Sequence, residues 1–257
     1  MNYITHETHP LSPKGCIVTW ASLEDYLSDA DIVGNRGFGI PKTKQMRRPA
    51  PKVLDYMDKY NTLLNTSEFI SSRVRSWDIS SGSLDIPQYL SGEPEYFSRI
   101  SYKKGRDVRI VFSPEVHVTS DSESLYYRGA AILSLIDSLE SQGDRVELWL
   151  GWDNSVGGKR YESRILAKKT TELLNISSLA AVCCDSAFIR TCEFNMIQHF
   201  LPTSGGSVGY NAGITLQGDV TLSGRYSEMH HFDTLDSCKK WIDNIKEKLS
   251  TSEGNLQ

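Results

Sequence analysis

Apolar and polar residues alternate most regularly in Asp107–Phe112 (DVRIVF), where Val108, Ile110 and Phe112 fall on one side of an extended chain. The period then changes. Over SDSESLYYRGAAILSLIDSLESQG, Leu125, Gly129, Ile132, Ile136 and Leu139 recur every three or four residues and share one helical face. Ala131 and Leu135 make a second face apolar, which predicts a central helix. Ser120 and Glu123 have capping-box spacing at its start, and Gly143 is placed to end it. RVELWLGW (145–152) is a second strand. Strand, helix and strand form a βαβ unit, whose parallel strands need a right-handed crossover.

The same reading extends outwards. Residues 1–19 are punctuated by Pro10, Pro13 and Gly15 and read as a loop. WASLEDYL (20–27) predicts a short helix capped by Ser22, and Lys52–Leu64 an amphipathic one. Residues 153–159 read as a loop and Tyr161–Lys168 as a strand. Two helices broken near Asp185–Ser186 follow, then a short strand at Asp219–Leu222 and a closing helix over 234–249. The predicted fold class is α/β: a mostly parallel Rossmann-like sheet with flanking helices, preceded by a helical and irregular N-terminal region. The division falls near residue 100, giving regions 1–100 and 101–257.

Charge singles out one segment. GNRGFGIPKTKQMRRPAPK (34–52) holds Arg36, Lys42, Lys44, Arg47, Arg48 and Lys52 and no acid, so it is the candidate nucleic-acid or phosphate-binding loop. Phe38 adds a stacking surface. The net charge of −4 argues against a chain that coats nucleic acid with its whole surface. Five cysteines, an odd number with no C-x-x-C pair, argue against a disulfide framework or a tetrahedral zinc site. Neither a signal pattern nor an apolar run of membrane-spanning length occurs. A reducing, cytoplasmic setting without membrane contact is expected.

Ligands of βαβ folds bind beyond the carboxyl ends of the parallel strands. That region holds Ser113, Glu115, His117, Thr119 and Asp121 after the first strand, and Asp153 and Asn154 after the second. Glu115 and His117, two apart, share a face of an extended chain. With Asp121 and Asp153 they are the candidate catalytic groups of a metal-dependent hydrolase, set against plain loop polarity and helix capping. GNRGFG and SGGSVGYNAG have the glycines of phosphate loops without the strand-to-helix context. No G-x-S-x-G elbow marks a nucleophile. Gly129, inside a helix, predicts close helix–sheet packing.

WDISSGSLDIPQYLSGEPEYF (77–97), YYRGAAILSLIDSLESQGDRVELW (126–149) and SLAAVCCDSAFIRTCEFNMIQHF (178–200) resemble an uncharacterised family of phage and prophage proteins, over residues 50 to 250. That family's middle section is similar to a von Willebrand A-type, Rossmann-like core, in which a D-x-S-x-S run after the first strand binds Mg²⁺. Ser113, Glu115 and His117 stand in place of the Asp and the two Ser, so no metal ligand carries over. The resemblance implies a virus-encoded accessory protein with a core used for protein–protein contact. The βαβ unit, the degraded metal motif and the lack of a nucleophile or cofactor signature make the expected function non-catalytic, without a cofactor, through a viral or host protein partner in viral DNA metabolism or host takeover. Nucleic-acid binding through residues 36–52 and metal-dependent hydrolysis are the alternatives, and self-association stays open.

Overall fold

The computed structural model describes residues 1–33, 73–78, 83–84, 97–102, 105–114, 122–172, 174–184, 188, 192–201, 210–211, 213–223, 232 and 234–251. The basic loop (Arg36, Lys42, Lys44, Arg47, Arg48, Lys52), the helix expected over 52–64, and Glu115, His117 and Asp121 lie outside them.

The first nineteen residues, expected as a loop, form an antiparallel pair instead: β1 (Tyr3–His9) and β2 (Ser12–Trp20). Two of the three residues read as punctuation serve this pair. Pro10 sits in its tight connection, and Gly15 allows β2 to lie against the next strand, since a Cβ there would be 2.2 Å from the Arg160 carbonyl oxygen. Helix α1 (Leu23–Val33) begins where Ser22 Oγ accepts the Asp25 N–H at 3.1 Å, as its capping position predicts.

A separate three-stranded antiparallel sheet follows, β3 (Arg73–Asp78), β4 (Ser83–Leu84) and β5 (Phe97–Tyr102), in the order β3-β5-β4. The predicted βαβ unit is then present as β6 (Asp107–Phe112), α2 (Ser122–Ser141) and β7 (Arg145–Val156). Its strands pair in parallel, Asp107 with Arg145 through Phe112 with Leu150. Gly143, at φ 93°, ends α2, and the Asp144 N–H reaches back to the Leu139 carbonyl at 3.0 Å.

β7 runs four residues beyond its expected end. Residues 153–156 continue the strand, Gly157 and Gly158 turn it with φ of 58° and 75°, and β8 (Lys159–Lys168) returns antiparallel. The loop expected over 153–159 is therefore a hairpin, and Asp153 is a strand residue rather than part of a loop above the sheet. Helices α3 (Ile176–Cys184) and α4 (Phe194–Phe200), strands β9 (Tyr210–Asn211) and β10 (Val220–Leu222), and helix α5 (Leu235–Thr251) complete the chain.

The main sheet has the order β1-β2-β8-β7-β6-β10, with β9 paired to the end of β7. Three pairings are parallel (β2–β8, β6–β7, β6–β10) and three antiparallel (β1–β2, β7–β8, β7–β9). The class is α/β, but the sheet is mixed rather than mostly parallel. The antiparallel pairings of β7 with β8 and β9, and of β1 with β2, change this, and β1 and β2 come from the region expected to be irregular, so the sheet draws on both sides of residue 100.

Residues opposite one another in neighbouring strands share a face. One face carries Val18, Trp20, Ile110, Phe112, Leu148, Leu150, Trp152, Tyr161 and Ile165, in a single buried cluster with residues of α1, α2, α3, α4 and α5. Gly129 belongs to this layer, but its close neighbour is a helix and not the sheet: a Cβ would lie 2.2 Å from Cys184 Sγ of α3. The opposite face carries Asp107, Arg109, Glu147, Trp149, Gly151, Asp153, Glu162 and Arg164. None of the five described helices packs there. No helix among the described residues is long and apolar enough to cross a membrane.

Candidate functional site

On the face that is helix-free as far as the described residues go, pairing of β7 with β8 sets Asp153 opposite Glu162, and pairing of β8 with β2 sets Glu162 beside Ile17. His9, at the end of β1, closes the group. Its Nε2 lies 3.5 Å from Asp153 Oδ2 and 3.6 Å from Glu162 Oε2, and all three side chains are fully buried. The segment after β9 roofs them. Ile214 packs over Gly151, where a Cβ would meet Ile214 Cγ2 at 3.1 Å. Thr215 donates to Glu162 Oε2 from its N–H (3.0 Å) and its hydroxyl (2.6 Å).

One ligand atom from each of the three side chains lies within 4.8 Å of the others, a spacing and donor set (N, O, O) that a divalent transition metal accepts. Two features turn the cluster to another use. The Leu11 N–H donates to His9 Nδ1 at 3.0 Å, so the ring proton sits on Nε2, the nitrogen that faces the carboxylates. Metal-bound histidines do the reverse and donate from the remote nitrogen. Each carboxylate also has its own guanidinium: Arg160 holds Asp153, and Arg164 Nε donates to Glu162 Oε1 at 2.7 Å. Two negative charges meet two positive ones, and a divalent cation would add two more to a buried space. Burial pushes the Asp153 carboxyl up, and Arg160 opposes that shift.

The opposite face holds a second buried acid. Glu193, just before α4, accepts the Ser163 hydroxyl at 2.9 Å. Burial pushes its carboxyl up to about 7, and Tyr26 and Tyr161, whose charges couple to it, are both raised well above the usual phenol range by burial. Thiol nucleophiles are not prepared either. Burial pushes Cys16 up to about 11 and Cys183 up to about 12, whereas the reactive form is the thiolate.

Towards solvent the helix-free face becomes a ladder of ion pairs. Arg145 meets Asp107 at 2.7 Å, and Arg109 meets Glu147 at 2.7 Å, each pair directly opposed across β6 and β7. Trp149, half-buried, donates its indole N–H to Glu147 at 2.6 Å. Beside them a groove of about 570 Å³ is lined by Asp107, Arg109, Glu147, Thr170, Gln217 and Asp219. It opens at the amino ends of β6, β7 and β10, opposite to the end where ligands of parallel sheets are expected.

Against the sequence expectations, Asp153 is brought into a site, with His9 and Glu162 as partners. Ser113 is buried at the far end of β6, where its N–H bonds the Leu222 carbonyl at 2.8 Å. His9, Glu162 and Glu193 were not singled out. A signal for Glu162 and Arg164 exists, because two charges two positions apart in an otherwise strand-like run mark one polar face.

The sequence profile of a domain of unknown function, DUF7192, matches residues 35–251. The chain belongs to the DUF7192 family. Asp153, Glu162 and Glu193 lie inside the DUF7192 match, while His9, β1, β2 and α1 precede it. No curated protein and no solved structure matches the chain.

Proposed function

We propose that this chain is a non-catalytic binding module that holds a protein partner on the helix-free face of its sheet, around Arg109, Glu147, Trp149 and the adjoining groove. The observation that carries this reading is the layering itself: the five described helices pack on one face, while the other, where Ile17 and Val111 are buried, presents a row of ion pairs around a half-buried tryptophan. Arginine and tryptophan anchor protein interfaces more than other residues do. The buried cluster supports the same reading, since Arg160 holds Asp153 while Arg164 and Thr215 hold Glu162, so it braces the strands beneath the face. The phage-type accessory role and the von Willebrand A-like core belong to this proposal, with a viral or host assembly as the setting.

The test is affinity capture from expressing cells with the intact chain and with Arg109→Glu and Trp149→Ala. Arg109 is exposed and Trp149 half-buried, and circular dichroism checks that each variant is folded. A partner captured by the intact chain is lost from either variant by about thirtyfold, corresponding to about 2 kcal/mol at an interface anchor. Equal capture by all three proteins overturns the reading, as does hydrolytic turnover that Asp153→Asn abolishes.

A further inference from the structure

Strand β1 ends the main sheet, and among the described residues nothing pairs with its outer side. Six of its seven residues are not buried, the strand contains neither lysine nor proline, and its register with β2 shifts near its ends, between Tyr3 and Thr5 and between Thr8 and His9, leaving Thr5 to Thr8 regular. Exposed apolar side chains gather at this border: Ile4 is 59% and Tyr3 36% exposed, and Leu11, in the connection to β2, is 66% exposed. Aromatic rings extend the border onto the helix-bearing side. Phe200, at the end of α4, lies 5.8 Å from Tyr3 and 5.4 Å from the exposed His6, measured between ring centroids.

We propose that β1 is a dimer interface, at which a second copy of this chain adds its own β1 antiparallel about a two-fold axis through His6. The axis position follows from parity and charge. Antiparallel neighbours related by a two-fold axis keep their faces, so residues that oppose one another have the same parity and the axis passes through a residue. At Glu7 it would set two carboxylates against each other. His6 and Glu7 are the two residues flanked on both sides by the regular register, and at His6 the axis sets Thr5 against Glu7 with no like charges opposed. The regular part of the β1–β2 register, from Thr5 to Thr8, includes this centre.

The aromatic border identifies the occupant. Any strand can satisfy the backbone edge, so the rings of Tyr3, His6 and Phe200 are what the occupant must also cover. A second copy brings its own three rings to the same side of the joined sheet, so each patch covers the other, as an isologous interface requires.

Directly opposed residues of an antiparallel pair have Cα atoms about 4.5–5.5 Å apart, within the range a disulfide spans. The five native cysteines are all buried, so an introduced surface thiol reports alone. Light scattering on the intact chain at tens of micromolar gives a two-chain mass. Thr5→Pro, or Ile4→Lys should the proline variant not fold, gives a one-chain mass. Mild oxidation joins His6→Cys into a covalent dimer and leaves Lys14→Cys, on the exposed side of β2, uncrosslinked. A one-chain mass for the intact protein overturns the proposal. A two-chain mass with no His6→Cys cross-link also overturns it, because association then uses another surface.

Discussion

Replacing Glu193 by Gln isolates the cost of a buried carboxyl. In the folded chain burial raises its pKa from the ordinary 4.5 to about 7, against the pull of the Ser163 hydroxyl. The sign follows from linkage. A carboxyl whose folded pKa lies above its unfolded value gives stability that is complete below the unfolded pKa and is lost as pH rises through the folded one. Between pH 4.5 and about 7 the unfolded chain releases the Glu193 proton while the folded chain keeps it, so stability falls by about 1.4 kcal/mol per pH unit. The accumulated loss is about 3 kcal/mol by pH 7–8, and it levels off once both states are ionised. Gln has the shape of the neutral acid, accepts the same Ser163 hydroxyl and does not titrate. The variant is therefore close to the parent in stability at pH 4.5 and more stable by about 3 kcal/mol at pH 8. Urea denaturation at half-unit intervals across pH 4.5–8 measures the difference, in which the other titrating groups cancel. Parallel stability curves for the two proteins would show that Glu193 ionises freely in the fold and would refute the reasoning.

Other consequences are open to simple measurements. Gly129→Ala places a methyl group against Cys184 Sγ and the Cys183 carbonyl and destabilises the chain by about 1–3 kcal/mol in urea unfolding; an unchanged midpoint would show that α2 and α3 separate easily. Saturating Zn²⁺ or Mn²⁺ leaves the melting temperature within about 1 °C, because the His9 nitrogen that faces Asp153 and Glu162 carries a proton and both acids have arginine partners; a rise of several degrees, abolished by His9→Ala, would reverse the assignment of this cluster as a metal-free brace.

The βαβ unit was legible because its signals are local. The period changes from two to three or four between Phe112 and Leu125, Gly143 ends the helix as a glycine at positive φ should, and Ser22 caps α1 through its own hydroxyl. The hairpin of β1 and β2 was not, because Pro10 and Gly15 look alike whether they break a chain or fit it closely against a neighbour. Only the Arg160 carbonyl, far along the sequence, distinguishes the two for Gly15. The cluster was hidden for the same reason. His9 reaches Asp153 and Glu162 only through the parallel pairing of β2 with β8, and parallel partners leave no trace in the spacing between them. Asp153 was placed near ligand chemistry by its position after a predicted strand, yet the strand continues through it and turns its carboxylate towards Arg160.

The β2–β8 pairing also dictates a schedule. Cys16 meets Tyr161 and Trp20 meets Ile165, so more than half of the chain separates partners that lie side by side at the centre of the sheet. During synthesis at about 5–20 residues per second, β2 leaves the ribosome many seconds ahead of the strand that will cover its backbone. The β1–β2 ribbon waits as a two-stranded hairpin, too small to persist alone in water, with Ile17, Val18 and Trp20 open to any passing strand. Closing so long a loop before its contacts form slows the search for the native pairing. Nascent-chain yield should therefore respond to chaperone supply and to temperature more than the finished protein's stability would suggest.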